Sequence, residues 1–224
     1  MAPPRRAILA WSSGKDSAYA LHLVRQQVEL EVVALLTTID ADRQRVAMHG
    51  VPEVLLDRQA AAAGLPLRKI RIPNPCPNAI YEQAMGAAMA DAKADGVEVV
   101  VFGDLFLADI RTYREAMLRP TGLEPTFPLW HRDTATLADE MLRSGMRATV
   151  AAVDPRRLER GLAGQAFDRA FLGRLPAGVD PCGENGEFHT FVTDGPMFTQ
   201  PVPVKVGAIL ERDGLAQADL RPAA

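Results

Sequence analysis

The residues with the clearest chemical reading are Ser12, Ser13, Gly14, Lys15, Asp16 and Ser17, which lie between an apolar burst at Ala7 to Trp11 and a helical pattern from Ser17 to Gln27. Small residues at a strand-to-helix junction let backbone N–H groups approach an anion, and the helix N-terminus adds partial positive charge. Lys15 brings a full charge to the same place, so the segment reads as a phosphate cradle. It is not a Walker A loop, because Leu9 stands where that motif needs its first glycine, and it lacks the three glycines of a dinucleotide fingerprint. A solvated helix cap is the plain alternative, since Ser and Asp favour helix starts for backbone reasons alone. The buried strand just before the loop favours the cradle.

A second set of chemical groups lies late in the chain. Glu184 and Glu187 stand three apart in a stretch, Val179 to Pro196, that is rich in Gly, Pro, Asp and Glu. Such a loop is able to turn both carboxylates toward one cavity, where they would orient ammonium, take its proton or hold a cationic head group; a polar surface turn is the alternative. His189 follows as a candidate base near neutral pH. Gly103 and Asp104 end the most hydrophobic strand, and open α/β sheets place ligands at such carboxyl ends. His49 falls after the second strand, near the same expected crevice. Arg111 and Arg114 share one face of a helix, either to meet an anion or as a solvated face. Cys76 and Cys182 are too far apart in sequence for a local Cys-x-x-Cys pair and too few for a disulfide framework, so a reducing, cytoplasmic setting is expected.

The elements that must position these groups follow from the pattern of the chain. Its 224 residues, 48% hydrophobic, suffice for one full core and a smaller lobe. Twenty-five basic against 28 acidic side chains leave a net charge of −3, which argues against a general nucleic-acid binder, and no apolar run reaches the ~18 residues of a membrane span. There are four lysines, so Lys15 is one of few. Short apolar bursts alternate with longer helical patterns, the signature of βαβ units around a buried parallel sheet. Strands are predicted at Ala7–Trp11, Glu31–Thr37, Leu67–Ile72 and Val97–Phe102, with a short one near Phe127–Trp130. Helices are predicted at Ser17–Gln27, Glu53–Ala63, Ile80–Ala94 and about Asp109–Leu118. Pro52 and Gly64 bracket the second of these helices. Beyond Trp130 the rhythm changes: a helix at Thr134–Ser144, a strand at Arg147–Val153, one or two short helices over Arg156–Leu172, and a strand over Val202–Leu210 running to a turn at Asp213-Gly214. The expected architecture is an open, mainly parallel α/β sheet sandwiched by helices over residues 1–130, with a smaller α+β lobe over 131–224.

Ser12 to Ser17 resembles the S-G-G-K-D-S loop of the PP-loop ATP pyrophosphatase superfamily, with Ser13 in place of the commonest glycine. Val101 through Leu105, Arg111, Arg114, Glu115, Gly122-Leu123, Pro128-Leu129-Trp130, His49-Gly50-Val51-Pro52 and Gln59 resemble the diphthine-ammonia ligase family within it. So does Asp180-Pro181-Cys182-Gly183-Glu184-Asn185-Gly186-Glu187-Phe188-His189-Thr190, where Asn185 and His189 replace a glycine and a glutamate of the family's E-G-G-E-F-E-T signature. Together these matches span nearly the whole chain. The resemblance implies ATP bound with Mg2+, the pyrophosphate part held by Ser12, Ser13, Gly14, Lys15 and Ser17. Asp16 would position the metal, and Thr37, Thr38, His49, Gly103 and Asp104 would line the rest of the nucleotide site. It implies activation of a carboxylate, diphthine or a related acceptor, as an acyl-adenylate, followed by attack of ammonia, with Lys15, Asp16, Glu184, Glu187 and His189 as catalytic groups. Two other readings stay open: sulfur transfer to transfer RNA through Cys76 and Cys182, as in other PP-loop enzymes, and a nucleotide-binding regulator without chemistry. Assembly as a homo-oligomer also stays open.

Overall fold

The structure is a computed structural model and describes residues 3–46 and 50–223. His49 lies outside the described residues. The first sheet is built around β1 (Arg5–Ala10), with β2 (Leu30–Asp40) and then β4 (Leu67–Ile72) on one side and β5 (Val99–Val101) and β6 (Glu124–Thr126) on the other. These five strands are parallel; β3 (Arg45–Val46) is a short antiparallel return on the end of β2. Chain order therefore runs outward from β1 through β2 and β4, then restarts on the opposite side at β5. The carboxyl ends of β1 and β5 flank the point of reversal, where an open α/β sheet leaves a crevice.

Alternation along the strands explains why both faces are covered. Leu9 of β1, Leu35 of β2 and Val101 of β5 point to one core, shared with α1 (Lys15–Val24) and α2 (Glu53–Ala63). Ile8, Leu36 and Val100 point to the other, closed by Met85, Met89 and Ala92 of α3 (Asn78–Ala94) and by Leu118, the one buried residue of α4 (Ala108–Leu118).

After α5 (Thr134–Arg143), the second sheet is antiparallel in the order β8-β7-β10-β9, formed by β7 (Arg147–Val153), β8 (Phe188–Asp194), β9 (Val204–Arg212) and β10 (Leu215–Pro222). A one-turn helix, α6 (Arg169–Leu172), precedes β8. Edge strand β8 docks on the first lobe: Val192 N donates to Ser13 O at 3.0 Å, and one hydrophobic core runs through both sheets.

Several boundaries differ from expectation. The strand expected at Phe127–Trp130 lies at Glu124–Thr126 instead, because Pro128 has no N–H for a ladder and Phe127 is engaged by Phe102 and Trp130, with ring centroids 5.5 and 5.8 Å away. Helix α1 begins two residues earlier than its pattern suggested and stops at Val24, where tighter bonds from Gln26 to Leu23 and from Gln27 to Val24 end it. Val28, just beyond that end, is 82% exposed. Among the described residues, no helix is long and apolar enough to cross a membrane.

Candidate active site

The turn from β1 into α1 is held by its own serines. Ser12 Oγ accepts from Gly14 N at 3.3 Å and lies 3.1 Å from Ser17 Oγ, which in turn donates to Gly14 O at 3.0 Å. The first helical bond runs from Ala18 N to Gly14 O, so the amides of Asp16 and Ser17 are in the first turn, where no intrahelical acceptor exists. Ser13 is fully buried at φ +72°, a conformation that costs an L side chain roughly 1–2 kcal/mol, and its hydroxyl oxygen has no hydrogen-bond partner. The resemblance's glycine at this position thus has a backbone reason. A second close approach explains Gly103: a Cβ there would sit 2.9 Å from Asp16 C and Ser17 N, so the end of β5 can lie against the loop only with glycine.

Lys15 turns inward. Its ammonium donates to both carboxylate oxygens of Asp16, at 3.0 and 2.9 Å, and to the carbonyl of Cys182, and it lies 5.4 Å from the Phe188 ring centroid. Its backbone N–H donates to Thr190 Oγ1 at 3.0 Å. Burial pushes the Lys15 ammonium toward deprotonation, but Asp16, with help from Cys182 and Glu184, more than offsets this and leaves its pKa above the usual lysine range. Burial likewise raises the Asp16 carboxyl, and Lys15 opposes that only in part. The lysine therefore remains a cation at neutral pH.

A cavity of about 800 Å³ opens over these groups. Ser12, Gly14, Lys15, Asp16 and Ser17 form its floor, Thr37 and Thr38 come from the end of β2, and Gly103 and Asp104 follow β5. Glu184, His189 and Thr190 face them from the second lobe, while Tyr81, Met85 and Met89 of α3 and Tyr113 of α4 make an apolar wall. Glu184 Oε1 accepts from Leu105 N at 2.8 Å; burial, reinforced by the nearby carboxylates of Asp16 and Asp104, pushes this carboxyl up to about 7 against the pull of that amide and of Lys15. Asp104 is bound through both oxygens by Arg114, at 2.6 and 3.2 Å, and the guanidinium lies 4.5 Å from the Phe102 ring centroid.

Glu187 does not join this constellation, contrary to the expectation that both glutamates face one cavity. It is fully buried, and its oxygens accept from Asp180 N (3.2 Å), Asn185 N (3.0 Å) and Asn185 Nδ2 (3.1 Å), with Arg157 at 3.2 Å. It is the internal post around which the Asp180–Glu187 loop folds. Ser13 also stands apart from the cavity lining, with its carbonyl held toward β8. Arg111 binds Glu115 at 2.7 Å and stacks on Phe127 and Trp130, so it serves helix packing. The Cys182 thiol is buried, donates to Thr134 O at 3.3 Å and is pushed by burial up to about 12, far from a nucleophile's range. Cys76 does not line the cavity.

Two groups that sequence reasoning did not single out are central. Thr190 caps the Lys15 amide, and Gln59 of α2 reaches the loop from below. Both sit inside segments that carried the family resemblance. The apolar wall had its own signal, since Tyr81, Met85 and Met89 recur at intervals of four on one helix face.

A parallel sheet whose crevice lies at its point of reversal, floored by a helix N-terminus with a buried lysine, defines an open-sheet α/β protein with its cavity at the carboxyl ends of the strands. The chain belongs to the diphthamide synthase family: the family's N-terminal domain matches residues 5–125 and its C-terminal domain matches residues 133–214. Several vertebrate proteins named diphthine–ammonia ligase are similar along most of their length. The human one is 28% identical over 216 residues, covering 86% of this chain and 80% of the relative. The rat protein is 26% identical over 217 residues with the same coverage, and the zebrafish protein 28% over 219 residues, covering 85% and 83%.

Proposed function

We propose that this protein is an ATP-dependent ligase that joins ammonia to a carboxylate, diphthine or a related acceptor. The observation that carries the reading is the placement of Lys15, at the N-terminus of α1, in one cavity with Glu184 of the second lobe. Similarity to proteins named diphthine–ammonia ligase over 86% of the chain supports it. In the proposed reaction a carboxylate oxygen attacks the α-phosphorus of ATP, the bond to the bridging oxygen breaks, and pyrophosphate leaves. Ammonia then attacks the acyl carbon, AMP departs with that carboxylate oxygen, and the ammonium proton passes to a base. Adenylation is needed because a bare carboxylate would have to expel oxide.

In this reading Lys15 and the amides of Asp16 and Ser17 stabilise the charge that grows on departing pyrophosphate. Ser12, Gly14 and Ser17 shape that cradle, Thr37 and Thr38 meet the nucleoside, and Gly103 with Asp104 closes the crevice. The carboxylates facing the cavity are hard oxygen donors of the kind Mg2+ takes, and Asp16, at the cavity floor, would hold it. The metal would neutralise phosphate charge. Glu184, with a pKa near 7, is suited to accept the proton of ammonium, and His189 on the same wall is the other group placed to carry it. The second lobe covers the floor and keeps water from the activated acyl group.

The test is incubation with ATP, Mg2+, ammonium and a panel of carboxylates while AMP and pyrophosphate are followed. Release of both, dependent on a carboxylate, is expected. Formation of ADP and phosphate would overturn the mechanism, and ATP binding with no turnover on any acceptor would point instead to a nucleotide-binding regulator.

A further inference from the structure

Gln59 is fully buried in the middle of α2, yet each polar atom of its side chain is in use. Its Oε1 accepts from the Trp11 indole at 2.9 Å, and its Nε2 donates to Ser13 O at 3.1 Å and to Val192 O at 2.7 Å. Three separate elements meet on this one amide: the end of β1, the anion loop and strand β8. Ser13 O also accepts from Val192 N at 3.0 Å, so the carbonyl is held from two sides.

The consequence follows from the peptide plane. Across a trans peptide bond the C=O and the next N–H point in opposite directions. With Ser13 O pinned toward α2 and β8, the Gly14 N–H has to face the other way, into the concave side of the loop, where it meets Ser12 Oγ. The pinned carbonyl also explains why Ser13 stays at φ +72° although it is not glycine: the two donors on its oxygen offset the backbone cost. We infer that Gln59 is a positioning residue that sets the direction of the Ser13–Gly14 peptide and thereby the anion affinity of the loop. This rests on the reading of the cavity as an ATP site, and it adds a determinant outside the cavity that acts on the pyrophosphate end of the ligand alone.

The distinguishing property is selectivity between ligands. Loss of the Gln59 donor leaves the Ser13 carbonyl on Val192 N alone and loosens the peptide, which weakens binding of groups that use loop amides and spares those held at the end of β2. Gln59→Met has similar volume but no donor, and Gln59→Glu places a carboxylate against two carbonyls. Calorimetry on purified protein is expected to give about tenfold or weaker binding of ATP and of inorganic pyrophosphate for both variants, with AMP affinity within about twofold of wild type. A variant that merely loosens the fold would lose AMP as well, and equal losses for all three ligands, or none, would overturn the inference. A measurement on the unmodified protein stands beside it. The Gln59 side-chain amide protons, which lie outside the cavity lining, report on this contact by NMR, with Gln59→Met to assign the signal; pyrophosphate is expected to shift this resonance and AMP to leave it in place. A resonance indifferent to pyrophosphate would contradict the coupling. Wild-type protein with no affinity for ATP or pyrophosphate would overturn the functional reading together with this inference, whereas wild-type affinity with unaltered variants would overturn only this one.

Discussion

The loop at Ser12–Ser17 and the loop at Asp180–His189 face each other across one cavity, and they spend their polar groups in opposite ways. The first is satisfied by short bonds among its own serines and by Thr190 and Gln59 from outside, which leaves helix-terminal amides and a cation at the cavity. The second spends most of its charge on itself: Asp180 Oδ2 accepts from Glu184 N at 2.8 Å, and Glu187 accepts from three nitrogens of the same loop. Only Glu184 of its two glutamates faces across. Two carboxylates three residues apart thus stand in different settings, one at the cavity and one inside its own loop, and sequence spacing does not separate them.

The largest effect expected from breaking this arrangement comes from the first loop. Lys15→Ala removes the cation at the cavity floor and leaves the half-buried Asp16 carboxylate without its partner; turnover is predicted to fall by about 10²- to 10³-fold in an AMP-release assay, with weaker ATP binding. Turnover and ATP affinity equal to wild type would remove the loop from the mechanism.

The contrast between the glutamates sharpens next. Glu187→Ala leaves Arg157 and the loop amides without their acceptor, so denaturant unfolding is expected to show a loss of about 3 kcal/mol or more. Glu184→Gln is expected to leave stability near wild type at pH 7 while lowering the ammonia-dependent step about 100-fold. Swapped outcomes, a stable inactive Glu187 variant and an unfolded Glu184 variant, would reverse the assignment. The pH dependence has a definite sign. The Glu184 carboxyl is raised from 4.5 to about 7 in the folded protein, so its stabilising contribution is full below pH 4.5 and is lost as pH rises toward 7. Activity through its ionised form rises over the upper part of the same window, and Glu184→Gln is expected to flatten both profiles.

Smaller effects follow from strain and from the thiols. Ser13→Gly relieves a positive φ and removes an unpartnered hydroxyl, and a gain in stability of about 1 kcal/mol is expected in thermal unfolding. Cys76→Ser and Cys182→Ala are expected to change turnover less than about twofold, because Cys76 does not line the cavity and Lys15 meets the Cys182 backbone carbonyl, which the alanine variant keeps. Loss of activity in either would revive sulfur transfer.

Much of the first sheet was legible because its punctuation is local. Pro52 and Gly64 bracket α2 at Glu53–Ala63, and β4 at Leu67–Ile72 ends at Pro73, both as expected. Strand β7 at Arg147–Val153 was legible for the same reason, an apolar run with a clear start. By contrast, β8 was hidden in a glycine- and proline-rich stretch, and β10 lay beyond the hairpin turn at Asp213-Gly214, where the expected strand stopped. In the candidate site, the place of the Ser12–Ser17 loop between strand and helix was legible from residue type, whereas both glutamates were expected at the cavity and Glu184 alone of the two lines it. The inward turn of Glu187 toward Asp180, Asn185 and Arg157 was not legible, and neither was the reach of Gln59 and Thr190, which depends on contacts 46 and 175 residues apart in the chain that only the packed fold creates.

The most direct test of the central claim uses a carboxylate acceptor carrying a heavy oxygen isotope, turned over with ATP, Mg2+ and ammonium. Adenylation at the cavity floor predicts that one labelled oxygen appears in AMP, alongside unlabelled pyrophosphate. Label in inorganic phosphate together with ADP, or AMP released without label, would contradict the account.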